Sequence, residues 1–273
     1  MDLKTKIWSL ARKGEICRER GEYREAEAFY GQALGLAEES LQNGDLELAE
    51  LFNNAAVLYK YTGRFNDARR LYWRALRIVK AAGDHRLLAG LYHNIGGLEH
   101  ARGRFRRGEV FARRSVRERQ QALGPDHPEV AADSAALAAI LEAQSKYEEA
   151  ESLYRKALTI FEQAFGPEHY EIAVNLNNLG SLSYATGRKE EAEQLYRRAL
   201  AMKEKLLGPE HPDVAITLNN LAILCRSQGK LEEAERLYSR CLSIFRKVLE
   251  PGHPKLDNCL TNYDRLLRQM GRG

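Results

Sequence analysis

Several features are scarce in this sequence, and each scarcity excludes something. Proline occurs only seven times in 273 residues, too seldom to interrupt long helices. Cysteine occurs four times, as Cys17, Cys225, Cys241 and Cys259. No two form a C-x-x-C pair, and no His/Cys cluster has zinc-finger spacing, so neither a disulfide framework nor a structural zinc site is expected. All four fall on apolar-periodic positions, the pattern of buried thiols in a reducing compartment. No apolar run approaches the ~20 residues that span a bilayer. The start, Met1 to Trp8, lacks the apolar stretch of a secretory signal. The chain is therefore read as cytoplasmic and soluble, with no membrane role.

Chemical signatures are equally scarce. No phosphate-binding Gly-rich loop, G-x-S-x-G elbow, H-E-x-x-H helix or G-x-G-x-x-G turn occurs. No catalytic residue, cofactor or metal is expected. Hydrophobic residues make up 44% and charged residues 29% of the chain, so it can bury a core and is not a disordered polymer. Ala, Leu, Glu and Arg dominate, which favours helices.

The strongest signal is an internal repeat. Turn glycines recur at Gly21, Gly63, Gly103, Gly187, Gly229 and Gly271, with Ser145 in the missing place. Five positions after most of these turns stands an alanine: Ala26, Ala68, Ala150, Ala192 and Ala234. Tyr30, Tyr72, Tyr154, Tyr196 and Tyr238 follow, and then Ala33, Ala75, Ala157 and Ala199. Steps of four and three residues place the trio on one helical face. The small residues let two helices approach closely, and the ring fills the gap between them.

Other punctuation lies between the repeats. Gly124-Pro125, Gly166-Pro167, Gly208-Pro209 and Pro251-Gly252 each precede a histidine, namely His127, His169, His211 and His253. Glycine suits the end of one helix, and Pro128, Pro212 and Pro254 suit the first turn of the next. Two earlier linkers, Asn43-Gly44-Asp45 and Ala82-Gly83-Asp84, differ. The histidines recur once per repeat, too far apart to share one metal ion, and are expected to bond backbone at helix starts. The pairs Glu148-Glu149, Glu190-Glu191 and Glu232-Glu233 recur with the same period. They suit the first turn of a helix, where the dipole favours negative charge.

The run Ala173-Val174-Asn175-Leu176-Asn177-Asn178-Leu179-Gly180, the turn at Gly187, the run Glu191-Ala192-Glu193-Gln194-Leu195-Tyr196 and the boundary Leu207-Gly208-Pro209-Glu210-His211-Pro212 resemble the 42-residue tetratricopeptide repeat of kinesin light chains and their relatives. The similarity covers nearly the whole chain. It implies an all-α, right-handed superhelical solenoid over 1–273, built from about six helix-turn-helix hairpins. These are expected at about 7–42, 46–82, 86–123, 128–165, 170–207 and 212–249, with a capping helix at 254–270. The coiled coil that precedes the repeats of kinesin light chains has no counterpart here, so a kinesin subunit is not expected. The third repeat departs from the pattern. Gly108 and Ser115 replace packing alanines and Ala112 replaces the tyrosine, so this repeat is expected to be looser.

The resemblance further implies that first helices line a groove and that residues ten, nine and six before each turn point into it, to which the positions three before the turn add. The candidate peptide-binding residues are Asn53, Asn54, Asn94, Asn177, Asn178, Asn219, Asn220, Lys60, Tyr184 and Arg226. An asparagine amide both donates and accepts, so it can pair with a peptide backbone whatever the side chains. The alternative is that these amides bond within or between helices. The Lys/Asn/Arg clamp by which some relatives hold chaperone termini has no match at Ala11 and Glu15.

Charge is distributed unevenly. Residues 60–119 hold sixteen Lys/Arg and five Asp/Glu, a net of +11, so the rest carries −7 of the total +4. The densest run is Arg102, Arg104, Arg106, Arg107, Arg113, Arg114, Arg117 and Arg119. All but the last are candidate docking residues for an acidic partner. A solvated face compensated by its neighbours, or a nucleic-acid surface, are the other readings. Few aromatic residues lie among these arginines, which argues against nucleic acid. The expected function is a non-catalytic scaffold holding a peptide or protein segment. The runner-up is a regulatory subunit docking a folded acidic partner through 60–119. Oligomeric state stays open.

Overall fold

A computed structural model describes residues 2–40 and 44–272. Asn43 and the end of the first repeat lie outside them. Thirteen helices and no strand occur among the described residues. In order they are α1 (Leu3–Glu19), α2 (Tyr23–Ser40), α3 (Leu46–Tyr61), α4 (Phe65–Ala82), α5 (His85–Ala101), α6 (Phe105–Leu123), α7 (Pro128–Glu142), α8 (Tyr147–Phe165), α9 (Tyr170–Ala185), α10 (Lys189–Leu207), α11 (Pro212–Ser227), α12 (Leu231–Val248) and α13 (Pro254–Gln269).

Local chemistry sets the ends of these helices. Turn glycines take positive φ, for example +82° at Gly187 and +78° at Gly229. Such a residue lets the chain fold back so that the next amide reaches the helix. The Arg188 amide donates to the Ser183 carbonyl at 2.8 Å, and the Lys230 amide to Cys225 at 2.9 Å. Ser145 holds the same left-handed conformation at φ +61°, the one described non-glycine residue with positive φ. At the opposite ends, the Nδ1 atoms of His127, His169, His211 and His253 each accept the backbone N–H two residues on, at 3.0–3.3 Å. These histidines are N-caps, as their period implies.

Packing groups the chain into two compact units. The unit up to Gln144 contains the hairpins α1/α2, α3/α4 and α5/α6, with α7 against α5 and α6. Its first helices, α1, α3, α5 and α7, also touch in series. The unit from Ser145 contains α8 against α9, the hairpins α9/α10 and α11/α12, and α13 against α12 and α11. The expected trio is buried in α2, α4, α8 and α10, and in α12 with Cys241 in the last place. Ala26, Tyr30 and Ala33, and likewise Ala192, Tyr196 and Ala199, are all buried.

In α5/α6 the tyrosine is replaced by close contact. A Cβ on Gly108 would stand 3.1 Å from the Gly96 carbonyl oxygen, and a Cβ on Gly96 3.3 Å from the Ala112 nitrogen. Ser115 adds a hydrogen bond to the Ala89 carbonyl at 2.9 Å. Backbone approach thus does here what the ring does elsewhere. Cys225, Cys241 and Cys259 are buried and free, and Cys17 is partly exposed. The Cys241 and Cys259 sulfurs lie 3.1 Å apart between α12 and α13.

Candidate functional site

The sequence-predicted asparagines lie on first helices, where consecutive hairpins bring them together. In the first unit the Asn94 amide donates to Asn53 Oδ1 at 2.8 Å, and the Asn53 amide to Asn54 Oδ1 at 3.2 Å. In the second unit the Asn220 amide donates to Asn177 Oδ1 at 3.3 Å, and Asn177 to Asn178 Oδ1 at 3.4 Å. Each trio is a head-to-tail chain of amides. One end keeps an NH2 with no acceptor among the described residues, on Asn54 or Asn178. The other keeps a carbonyl oxygen with no donor among the described residues, on Asn94 or Asn220. Asn219 joins a similar link, accepting from the Asn262 amide of α13 at 3.3 Å.

A cleft of about 300 Å³ opens beside the first trio. Asn53, Asn54, Ala49 and Glu50 of α3 line it, with Arg86, Leu87, Gly90 and Leu91 of α5, Val79 of α4 and Arg119 of α6. Arg119 is held by charge on both sides. Its guanidinium meets Glu129 at 2.6 Å and the buried Asp133 at 3.1 Å. Asp133 also takes His93 Nδ1 at 2.6 Å. Burial pushes the Asp133 carboxyl up. The His93 hydrogen bond and the charges of His93 and Arg119 outweigh it and hold the group below its ordinary value.

Lys60 is half-buried, its ammonium 5.5 Å from the Tyr61 ring and 3.5 Å from where a Gly97 Cβ would stand. Burial, and then the charge of Lys60, depress the neighbouring His100. Tyr184 and Arg226 are half-buried on α9 and α11 of the second unit. Sequence reasoning missed the Arg119–Asp133–His93 network, because it needs α5, α6 and α7 in register at once.

The second unit has its own buried polar cluster. Lys203 of α10 donates to Thr217 Oγ1 at 3.0 Å and to the Asp213 carbonyl at 3.3 Å. Tyr170 donates to Asp213 Oδ2 at 2.6 Å.

The candidate docking arginines divide into two sets. Arg104 and Arg107 flank the buried Glu99 carboxylate, each at 3.9 Å. Arg113 pairs with Glu109 at 2.9 Å, and Arg102 reaches Asn66 at 3.5 Å. Arg106, Arg114 and Arg117 have no carboxylate partner among the described residues. Arg114 lies over the Tyr92 ring at 5.8 Å.

Hairpins of paired helices, most of them burying a small-Tyr-small face and stacked through their first helices, define a helical-repeat protein. The tetratricopeptide repeat model matches residues 6–81, 87–163, 131–205, 203–247 and 213–272. The chain belongs to the tetratricopeptide repeat family. No curated protein sequence matches it. Among solved structures it is similar to BtubC (BKLC) from P. vanneervenii, at 26% identity over 93% of this chain and 94% of that one, TM-score 0.58. It is also similar to a putative kinesin light chain from Podosopora anserina, at 21% identity over 74% of this chain and 97% of that one, TM-score 0.53. A Rap protein complexed with Competence and Sporulation Factor shares the fold at 15% identity, over 99% of this chain and 77% of that one, TM-score 0.70. No helix of the described residues is long and apolar enough to cross a membrane. Tetratricopeptide repeat proteins mediate protein–protein interactions and are generally non-catalytic scaffolds.

Proposed function

We propose that this chain is a non-catalytic adaptor whose first-helix layer holds an extended protein segment by its backbone. One observation carries the reading. The same three-amide chain is built in each unit, and each leaves one donor and one acceptor open. A peptide unit offers the complementary pair, one carbonyl and one N–H. The internal links fix the amides in orientation, so little side-chain entropy is lost when the open ends bind. In the first unit the adjoining cleft offers Leu87, Leu91 and Val79 to an apolar side chain of the segment. The structure of a Rap protein complexed with Competence and Sporulation Factor supports the reading that this fold can hold another molecule.

The test is affinity capture from the native cell, then tiling of the captured partner into short synthetic peptides. One tile should bind the full chain by itself. Asn54→Ala and Asn178→Ala should each weaken it about fivefold, the cost of roughly one hydrogen bond, with melting lowered by no more than about 4 °C. A partner that binds only when folded, with no active tile, would overturn the reading.

A further inference from the structure

The second helices of the second and third hairpins carry an unusual surface. Trp73 of α4 is 40% exposed and Val110 of α6 is 51% exposed. They belong to one patch. The Trp73 ring stands edge-on to Phe111 of α6 at 6.1 Å, and the Arg107 guanidinium lies 6.0 Å from the Trp73 ring centre. Basic residues surround both. On α4, Arg69, Arg70, Arg77 and Lys80 share the exposed face with Trp73 at helical spacing. On α6, Arg106, Arg113, Arg114 and Arg117 do the same around Val110. Of these, Arg70 is tied to Asp67 and Arg113 to Glu109. Arg69, Arg77, Lys80, Arg106, Arg114 and Arg117 have no carboxylate partner among the described residues.

The internal repeat shows that this is a departure from the chain's own rule. Helices α8, α10 and α12 begin with two glutamates in the first turn, whereas α6 has no acidic residue there. Arg106 and Arg107 occupy the places of Glu148-Glu149, Glu190-Glu191 and Glu232-Glu233. Positive charge at a helix start opposes the dipole, so the exchange works against the helix that carries it. In the second unit Glu191 and Glu233 of these pairs each clasp an arginine of the preceding second helix, together with Glu151 and Glu193. Arg155 meets Glu151 and Glu191, and Arg197 meets Glu193 and Glu233, all within 3.1 Å. The α4/α6 face keeps part of that compensation, in Arg113–Glu109 and Arg70–Asp67, but carries more arginine than carboxylate and adds exposed apolar centres.

We infer that the Trp73–Val110 face docks an acidic amphipathic protein helix, apolar residues on Trp73 and Val110 and carboxylates on the surrounding arginines. Charge complementarity selects the partner's sign, and the apolar centres separate it from a simple polyanion. Aromatic and arginine side chains are the types that most often anchor such interfaces. This face is built from second helices and does not depend on the asparagine chains.

The test uses the full chain and a labelled synthetic peptide with leucines on one helical face and glutamates elsewhere. A scrambled peptide of the same composition, oligothymidylate, and vesicles of phosphatidylserine in phosphatidylcholine serve as competing probes. The patterned peptide should bind about tenfold tighter than the scrambled one and more tightly than the other probes. Val110→Asp and Trp73→Ser should each weaken it about tenfold, and added salt should weaken it further. Circular dichroism checks that each variant is folded. Val110 is the more exposed residue, so Val110→Asp carries the test if Trp73→Ser does not fold. Equal binding of the two peptides, wild-type affinity in folded Val110→Asp, or preference for the oligonucleotide or the vesicles would each overturn the inference.

Discussion

The side-chain amide of Asn94 reaches across one repeat to donate to Asn53 at 2.8 Å, and Asn53 passes the link on to Asn54. Asn177 holds the matching middle place in the second unit, accepting from Asn220 and donating to Asn178, and is 6% exposed. Middle and end members should therefore behave differently. Asn177→Ala removes two hydrogen bonds and leaves two amides unpaired, so it should cost about 1–3 kcal/mol of stability. Asn178→Ala removes one and should cost under about 1 kcal/mol. Urea denaturation of the two variants checks this, and equal losses would mean that the chain does not act as a unit.

The sequence made the set of asparagines legible but not their order. The repeat period puts them at one position of each hairpin, which is enough to predict a shared layer. Which amide donates to which depends on the rotation between neighbouring hairpins, and no spacing encodes that. The histidine caps, the Ala-Tyr-Ala faces and Ser145 in a glycine's place could be read because each is decided within a few residues. Trp73 and Val110 could not, since a single apolar residue on a polar face is ordinary in any helix. They gain meaning only once α4 and α6 lie side by side. The expectation of a looser third repeat weighed the helix cost of Gly108. It could not see the Gly96 backbone against which that glycine packs.

Gly108→Ala tests that contact. Alanine gains roughly 1 kcal/mol of helix propensity over glycine. Its methyl group would stand 3.1 Å from the Gly96 oxygen and 3.4 Å from Ile140 Cδ1. Helix backbone yields little, so overpacking of about 1–3 kcal/mol should win. The variant should melt lower than the parent. A higher melting temperature would show that α5 and α6 can separate at little cost.

Ser145 gives the opposite case. Its φ of +61° is a left-handed conformation that L side chains rarely adopt. Glycine holds the corresponding place in the other turns, including Gly187 and Gly229. Ser145→Gly should stabilise the chain by about 1 kcal/mol, the relieved strain exceeding the added freedom of the unfolded chain. Ser145→Val should destabilise it by more. Thermal melts of the two variants shifting in the same direction would refute the argument.

Lys203 makes the stability of the chain depend on pH in an unusual direction. Burial pushes its ammonium down to about 8, while the Asp213 charge pulls the other way. The unfolded chain holds that proton up to about pH 10.4. Between these values the unfolded state binds more protons than the folded one, so stability rises with pH. Below pH 8 both states are charged and the cost of the buried ammonium is present in full. The slope from this residue should approach 1.4 kcal/mol per pH unit, to order of magnitude. Lys255, also depressed by burial, adds in the same sense. Cys225, raised to about 11 by burial, and Cys241, raised by the Cys259 contact and burial, oppose the trend from about pH 8.5. Tyr30 and Tyr238, raised to about 12 by burial, oppose it above about pH 10. The Lys203 contribution is therefore read over about pH 8–9.5 as a difference from a variant that keeps these groups. Urea denaturation across that window should show the parent gaining stability relative to Lys203→Met, which cannot titrate there. Parallel curves for the two proteins would mean that Lys203 keeps its proton in the folded state.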